Sequence, residues 1–508
     1  MTPIRLWQPH PSKRIDVFPF EVNLPTLFDR PPGIDDSLWP PTQMLYLGKY
    51  LNTLGCKTIV VETHYIDRDY IADVALFYSR SLRAYDNFCQ RLHFFREPFD
   101  HDRWRQLVTG VSGEQASASQ SFLQDAYLGF SVLRPLPGSP VGRTVLPPLG
   151  EETLTGRRRQ FKPIREYRVH LAQFELTVRG LAFQQQDQGV SACATTALWS
   201  SINAIAQREG LSIPTPADIT EAASRYLLVG GRPLPSEGLT VHQMCEAIRA
   251  AGLAPLFVPS IEFQSDRAQL LSYLRSGFAP VLAIQSLQEG AGGHAVCAVG
   301  TKCGDVAPQT NPNLHFRDAA TSLQGLYLHD DRLGPYAAAD LYQWTSDSGA
   351  IRTAMRITWP DQDVDVEHAV VSSFVVPVPT KLRLTVTRMR ELGLHLADTA
   401  GQIYPQFQRT VTLATRYVKG ALYQSEATIF GLSDNGIYEL TCELALSRYV
   451  GVIEITIPQG PLFDVLLDAT ETNANPAALA WIRRHLLPAE AEDGLRSLAS
   501  SLGARFIK

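Results

Sequence analysis

The stretch from residue 181 to residue 210 constrains the fold of this chain more than any other. Its sequence, LAFQQQDQGVSACATTALWSSINAIAQREG, passes from a polar, glycine-containing run into a run with helical periodicity. Downstream of Cys193 the apolar residues fall on one face of a helix, and Gly210 is a typical helix terminator. The pattern predicts a loop that leads into a helix beginning at or just before Cys193.

A cysteine at the start of a helix has a distinctive chemical environment. The unpaired backbone N–H groups and the positive end of the helix dipole favour a thiolate over a thiol. Most cysteines on apolar helices are only small buried hydrophobes, so a nucleophile also needs a base and donors for an oxyanion. Gln186 and Gln188 lie in the approach loop, seven and five residues before Cys193, and are candidates for the oxyanion role.

The partners that such a cysteine needs are found about a hundred residues downstream. The motif GGHAVCAVG places His294 at the start of a small apolar strand, where two glycines give close access. The motif LYLHDDRLG places Asp330 at the end of another strand, where it can accept a hydrogen bond from an imidazole and fix its tautomer. His329 is an alternative base, and Asp331 is a second, less favoured residue for the orienting role.

The order of these residues resembles that of papain-like cysteine peptidases. The closest type is the compact bacterial peptidase that removes double-glycine leaders from bacteriocins. The resemblance covers residues 165–360 and implies that Cys193 is the nucleophile, that His294 is the general base and then acid, and that Asp330 orients His294. Gln186 or Gln188, with the backbone N–H of Cys193, would stabilise the oxyanion.

The sequence departs from that family in four places. Ala194 stands where the family usually has glycine, and Asp331 stands where proline is common. Both candidate glutamines are one residue away from the usual spacing to the cysteine, and a polar loop over 301–322 is additional. The first and third departures bear on the geometry of the oxyanion site.

At 508 residues the chain is longer than one hydrophobic core usually supports. We therefore expect an α+β protein, with a papain-like cysteine peptidase domain over 165–360 flanked by two mixed α/β domains. The flanking domains are expected over 1–150 and 365–508, and neither contains a motif with recognisable chemistry.

Local patterns predict several elements of these domains. Residues 69–95 are expected to be mainly helical. In the middle domain we expect one helix capped by Thr240 and a second capped by Ser265 or Asp266. In the last domain we expect strands near 427–431, 438–444 and 452–457, and helices near 381–394 and 476–486.

Charge and cysteine usage bound the partners and the compartment. Forty-six basic and 51 acidic residues give a formal charge of −5, which provides no general attraction to nucleic acid or to an anionic membrane. There is no signal-peptide pattern and no apolar run long enough to span a bilayer. Seven scattered cysteines without a CxxC motif predict reduced thiols in a cytoplasmic protein.

The sequence therefore predicts a cysteine hydrolase that cleaves a peptide or a peptide-like amide and needs no metal or organic cofactor. Two alternatives stay open: an amide- or acyl-transferring enzyme with transglutaminase-like chemistry, and a non-catalytic papain-fold binding module. The acidic run ETHYIDRD at 62–69 is interpreted as a helix-capping loop rather than a metal site, because it has no recognised ligand spacing.

Overall fold

A computed structural model gives the structure of the chain, and it contains both helices and strands. It describes residues 14–30, 39–82, 84–110, 113–152, 157–226, 234–235, 238–288, 290, 292–307, 314–359, 365–403, 409–427, 432–471, 478–484, 489–501 and 503–508. Within this part of the chain no helix is both long and apolar enough to cross a bilayer.

The N-terminal part is an antiparallel sheet of five strands in chain order, covered by helices. Its elements are β1 (Ile15–Pro19), α1 (Thr42–Thr53), β2 (Thr58–Tyr65), α2 (Arg68–Leu76), β3 (Cys89–Phe95), α3 (His101–Thr109), α4 (Gly113–Ala126), β4 (Tyr127–Leu133) and β5 (Val141–Val145). The expectation of a mainly helical stretch over 69–95 is wrong. Helix α2 ends at Leu76, and all seven residues of β3 are buried because this strand lies in the middle of the sheet.

The middle part is built on a larger antiparallel sheet. Its elements are β6 (Arg158–Gln160), β7 (Arg165–Leu171), β8 (Phe174–Gly180), α5 (Cys193–Glu209), α6 (Pro216–Ala223), α7 (Val241–Ala250), β9 (Leu253–Pro259), α8 (Phe263–Arg275), β10 (Val281–Ser286), β11 (Gly293–Cys303), β12 (Phe316–Asp318), β13 (Leu323–Asp330), β14 (Gly334–Thr345), β15 (Ile351–Thr358) and β16 (Asp365–Pro379). The strands pair in the order β10-β11-β13-β14-β15-β16, and β16 pairs again with β10. These pairings close a six-stranded ring, and β9 extends it along β16.

Two helix starts in this part test the capping predictions. Thr240 caps α7 as expected, in a capping box with Gln243. The cap of α8 is Glu262, so the prediction of Ser265 or Asp266 is wrong. Asp266 lies inside the helix, where its buried carboxylate accepts hydrogen bonds from the hydroxyls of Ser260 and Thr353.

The C-terminal part is a six-stranded sheet in the order β12-β17-β18-β19-β20-β21. Its further elements are α9 (Val386–Ile403), β17 (Val411–Lys419), α10 (Gly420–Ala427), α11 (Asp434–Tyr438), β18 (Tyr449–Ile457), β19 (Gly460–Asp468), β20 (Ala478–Arg483), α12 (Ala489–Ser501) and β21 (Arg505–Ile507). Strand β12, from the middle part of the chain, pairs in parallel with β17. The middle part of the chain therefore contributes one strand to the C-terminal sheet.

Several expectations for the last segment need correction. Strand β16 falls within the range 365–508 expected for the C-terminal domain, but it pairs with β10, β15 and β9 of the middle part. Residues 438–443 are helical, and 478–483 form β20 rather than a helix. Of the strand expected near 427–431, Ala427 ends α10 and the other four residues lie outside the described part. A strand near 452–457 is present within β18.

Candidate active site

Helix α5 begins at Cys193, as the sequence predicts. The residue before it, Ala192, has an extended backbone and no side chain that can cap the first turn. Every residue from 194 to 206 is buried, which fixes the helix against the neighbouring strands, whereas Cys193 itself is half-buried. The helix start therefore presents backbone N–H groups without a side-chain acceptor next to a partly accessible thiol.

His294 and Asp330 meet because their strands are antiparallel neighbours. His294 lies at the start of β11 and Asp330 at the end of β13, so the register of the pair brings the two ends together. The Nε2 atom of His294 lies 2.9 Å from Oδ1 of Asp330. The same oxygen accepts a hydrogen bond from the backbone N–H of Arg332, at 3.0 Å. Asp330 is thus fixed from two sides.

The imidazole of His294 is held between a carboxylate and the thiol. Burial acts to lower the pKa of His294, but the charge of Asp330 and hydrogen bonds to Asp330 and Cys193 outweigh it and raise the pKa to about 10. Since Nε2 faces Asp330, the other ring nitrogen is the one available to the sulfur. The structure thus brings together Cys193, His294 and Asp330, which lie far apart in the sequence.

The two neighbouring carboxyl groups differ in their electrostatics. Burial acts to raise the pKa of Asp330, but the positive charge of His294 lowers it below its usual value. For Asp331 burial prevails and raises the pKa to about 7. Oδ1 of Asp331 is 3.6 Å from Nε2 of His294, farther than Asp330. Asp330 is therefore the carboxylate with the better geometry for orienting the imidazole.

In the described part of the chain, one group of side chains has donor atoms close enough together to bind a metal ion. It consists of His294, Asp330 and Asp331. One donor atom each from His294, Asp330 and Asp331 lies within 4.8 Å of the others. However, Oδ1 of Asp330 already accepts two hydrogen bonds, from His294 and from the backbone of Arg332. The geometry fits an imidazole oriented by a carboxylate as well as it fits a cation.

The approach loop contains five candidate amide or carboxyl side chains, and they have different surroundings. Gln186 is half-buried, whereas Gln188 is exposed. Gln185 is occupied, because its oxygen accepts from the N–H of Val141 and its nitrogen donates to a carbonyl of the N-terminal part. Gln184 was not singled out from the sequence, yet it is buried and its Nε2 has no hydrogen-bond partner in the described residues. Gln184 therefore joins Gln186 and Gln188 as a candidate oxyanion donor.

Asp187 organises this loop, and sequence reasoning missed it. Its Oδ1 accepts hydrogen bonds from the backbone N–H groups of residues 189–191, at 2.7, 2.7 and 3.2 Å. Its Oδ2 lies 3.5 Å from Nη1 of Arg134, which is itself buried and donates to the carbonyl of Gln185. An arginine of the N-terminal part thus anchors the loop that leads to Cys193. The tripeptide Asp-Gln-Gly is a turn signal, but its remote partner could not be read from the sequence.

The alternative base and the acidic run have structural roles. His329 is buried and packs edge-on against Phe183 and Tyr336, and burial lowers its pKa to about 3. In the acidic run, Asp67 caps α2 by accepting hydrogen bonds from two backbone N–H groups, as expected. Its other oxygen pairs with Arg143.

The environments of the other thiols differ from that of Cys193. All seven cysteines are free. Burial raises the pKa of five of them, namely Cys56, Cys89, Cys245, Cys297 and Cys303. The remaining one, Cys442, is exposed and lies in the C-terminal part. Cys193 combines partial exposure with a hydrogen bond to His294.

The chain was compared with protein-family models and with curated proteins. No protein-family model matches the chain, and a search of curated proteins found no significant match.

Proposed function

We propose that this protein is a papain-like cysteine hydrolase that cleaves a peptide or a peptide-like amide. The observation that supports this most directly is the position of His294, between the Asp330 carboxylate at 2.9 Å and the Cys193 thiol at the start of α5. The order of a cysteine-bearing helix, a histidine-bearing strand and a strand ending in aspartate also agrees with the papain-like resemblance.

The proposed mechanism uses these three side chains in turn. Because the pKa of His294 is about 10, the imidazole holds a proton at neutral pH and faces the sulfur as a cation. The sulfur of Cys193 bonds to the carbonyl carbon, while the helix N-terminus and a glutamine of the approach loop stabilise the oxyanion. His294 gives its proton to the leaving nitrogen as the C–N bond breaks. Water then attacks the thioester carbonyl carbon and gives a proton to His294, the C–S bond breaks, and the carboxylic acid leaves, which restores the Cys193 sulfur and the protonated His294.

The surroundings of the histidine agree with an extended substrate. Among the described residues, no atom lies within 4 Å of a Cβ atom added at Gly292, so these residues leave the space beside the start of β11 open. An extended peptide needs such an open approach to the thiol and the base. We therefore favour a peptide or a protein as the substrate.

Labelling with an iodoacetamide probe tests the proposal. Cys442 is the one exposed thiol, so the experiment uses a Cys442→Ser protein. Cys245 and Cys303 are half-buried like Cys193 but have raised pKa values. At pH 6.5 we expect one labelled site, Cys193, because thiols with raised pKa values react slowly. Cys193→Ala should abolish the label, and prior treatment with EDTA should leave it unchanged. Labelling is read by peptide mass spectrometry.

Two results would contradict this function. One is a label spread evenly over several cysteines in the folded protein, and the other is an unlabelled Cys193 in a protein whose melting curve is intact. The second result, with tight binding of peptides, would instead favour the binding-module alternative. For the transferase alternative, the acyl-enzyme is trapped and offered an amine in water: a transferase gives the amide product and a hydrolase gives the acid.

The raised pKa of His294 predicts a pH dependence of stability. The folded state holds this proton more tightly than the unfolded state, so the stabilisation is complete below about pH 6.5 and is lost as the pH rises through about 10. Between pH 7 and 10.5 the free energy of unfolding should therefore fall by roughly 2–4 kcal/mol more in the wild type than in His294→Gln. Urea unfolding followed by tryptophan fluorescence measures both. If the free energy of unfolding falls equally in the two proteins, His294 does not hold this proton above pH 7.

A further inference from the structure

A large cleft lies at the far end of helix α5, away from Cys193. Its volume is about 950 Å³, and it opens between the ends of α5 and α8 on one side and the sheet of β17, β18 and β19 on the other. Arg208, in its lining, is fifteen residues after Cys193 on the same helix, which corresponds to about 22 Å along the axis. The cleft is therefore separate from the candidate active site.

The lining of this cleft carries an excess of positive charge in a protein whose formal charge is −5. Three carboxylates, Glu426, Glu454 and Asp464, line it. Six cationic side chains line it as well: Lys162, Arg208, Arg275, Arg416, Lys419 and Arg484. The lining therefore has three more cationic side chains than carboxylates. A concave surface of one sign with protein walls concentrates anions.

Ion pairs involve all three carboxylates of the lining, but the cationic side chains outnumber them. Glu454 accepts from both Arg275 and Arg416, at 2.5 and 2.7 Å, so one carboxylate serves two guanidinium groups. Just outside the lining, Glu209 pairs with Arg208 and Lys419 of the lining and also with a further cation, Arg448. Including Glu209 and Arg448 adds one negative and one positive charge, so the cationic side chains still outnumber the carboxylates by three.

Two of the cations keep donors that the described residues do not use. Nη1 of Arg275 is buried and has no hydrogen-bond partner there. Lys162 is exposed, and no ion pair involves it among the described residues. A guanidinium N–H and an ammonium group are the donors that most often recognise phosphate oxygens. Lys162 is therefore available to an anionic ligand, and Arg275 has one donor that no described residue occupies.

The cleft also has an apolar side. Phe278, Val418 and Pro461 belong to its lining, and Leu422 lies there with half of its surface exposed. Phe278 and Val418 are themselves buried, so Leu422 and Pro461 are the apolar side chains that a purely inorganic anion would leave facing water. A ligand that combines anionic groups with an apolar or aromatic body would contact both kinds of wall, and about 950 Å³ accommodates a molecule of that size.

We propose that this cleft is a binding site for an organic polyphosphate, the chemical class that includes nucleoside triphosphates. The phosphates lie against the arginines and lysines of the rim and floor, and the organic part lies against Leu422 and its apolar neighbours. The proposal does not depend on the activity of Cys193, because the two sites are at opposite ends of α5.

Isothermal titration of the full chain with ATP tests the proposal, with inorganic tripolyphosphate and adenosine as companions. We expect ATP to bind at least as tightly as tripolyphosphate, adenosine to show no binding, and added salt to weaken both anions. Lys162→Glu reverses an exposed charge in the cleft and should weaken ATP binding by about tenfold. Because Lys162 is exposed, this variant should keep the wild-type melting temperature.

Lys381→Glu is the matched control, since Lys381 is also an exposed lysine but lies outside the cleft. It changes the overall charge by the same amount and should leave ATP binding unchanged. The proposal is overturned if ATP does not bind at millimolar concentration, or if Lys162→Glu and Lys381→Glu weaken its binding equally. Equal weakening would mean that only the overall charge matters.

Discussion

Replacing His294 by alanine is expected to slow the alkylation of Cys193 at pH 6 by about a hundredfold, the scale of a lost acid–base partner. In the wild type the imidazole faces the sulfur as a cation, because Asp330 at 2.9 Å keeps the pKa of His294 near 10. Without the imidazole the thiol loses its cationic neighbour and reacts as an ordinary cysteine. The rate of carbamidomethylation in the Cys442→Ser background, followed by mass spectrometry, measures the effect.

The control for this experiment is His170→Ala, which removes a histidine whose side chain is 72% exposed and lies on the β7–β8 hairpin. It should leave the alkylation rate unchanged. Asp330→Asn should fall between the two, since the histidine remains but loses its anionic partner. A His294→Ala protein that melts normally and reacts as fast as the wild type would remove His294 from the site.

Replacing Asp187 by alanine is expected to lower the free energy of unfolding by about 3–5 kcal/mol, the usual cost of removing one partner of a buried ion pair. The substitution leaves the guanidinium of Arg134, which is 1% exposed, without its carboxylate. It also leaves three backbone N–H groups of residues 189–191 without an acceptor. Urea unfolding followed by fluorescence gives the free energy directly.

Asp187→Asn separates the two contributions. The amide oxygen can still accept from the backbone, so this variant should lose less stability than Asp187→Ala. Asp347→Ala, at an exposed position, should be nearly neutral. Because the loop leads into Cys193, we also expect Asp187→Asn to slow its alkylation while the fold remains intact. An Asp187→Ala protein as stable as the wild type would show that Arg134 does not depend on this carboxylate.

Local sequence signals correctly predicted the elements that are determined by residues close together in the sequence. The helix from Cys193 to Glu209 and the cap at Thr240 follow from apolar periodicity, a terminal glycine and a capping box, all within a few residues. The wrong predictions concern elements that are determined by residues far apart in the sequence. The stretch 69–95 contains a central strand that its neighbours β2 and β4 determine, and β20 is a strand because β19 and β21 flank it. Pairing across the sheet overrides local preference there.

The candidate site shows the same division. Cys193, His294 and Asp330 could be selected in the sequence because each stands at the end of an element with a recognisable pattern. The glutamines could not be separated, since QQQDQG has no periodicity, and only burial distinguishes Gln184 and Gln186 from Gln188. Asp187 accepts hydrogen bonds from three nearby backbone N–H groups, but its contact with Arg134 of the N-terminal part could not be read from the sequence.

The sequence by itself determined the chemical set: a cysteine at a helix start, a histidine at a strand start and an aspartate at a strand end. Only the tertiary structure decided the distance between them, because the antiparallel register of β11 and β13 brings His294 to Asp330. It also decided which carboxylate orients the histidine and which arginine supports the approach loop. The physical reason is that helix starts and strand ends follow from neighbouring residues, whereas distances, burial and pKa values depend on groups far apart along the chain.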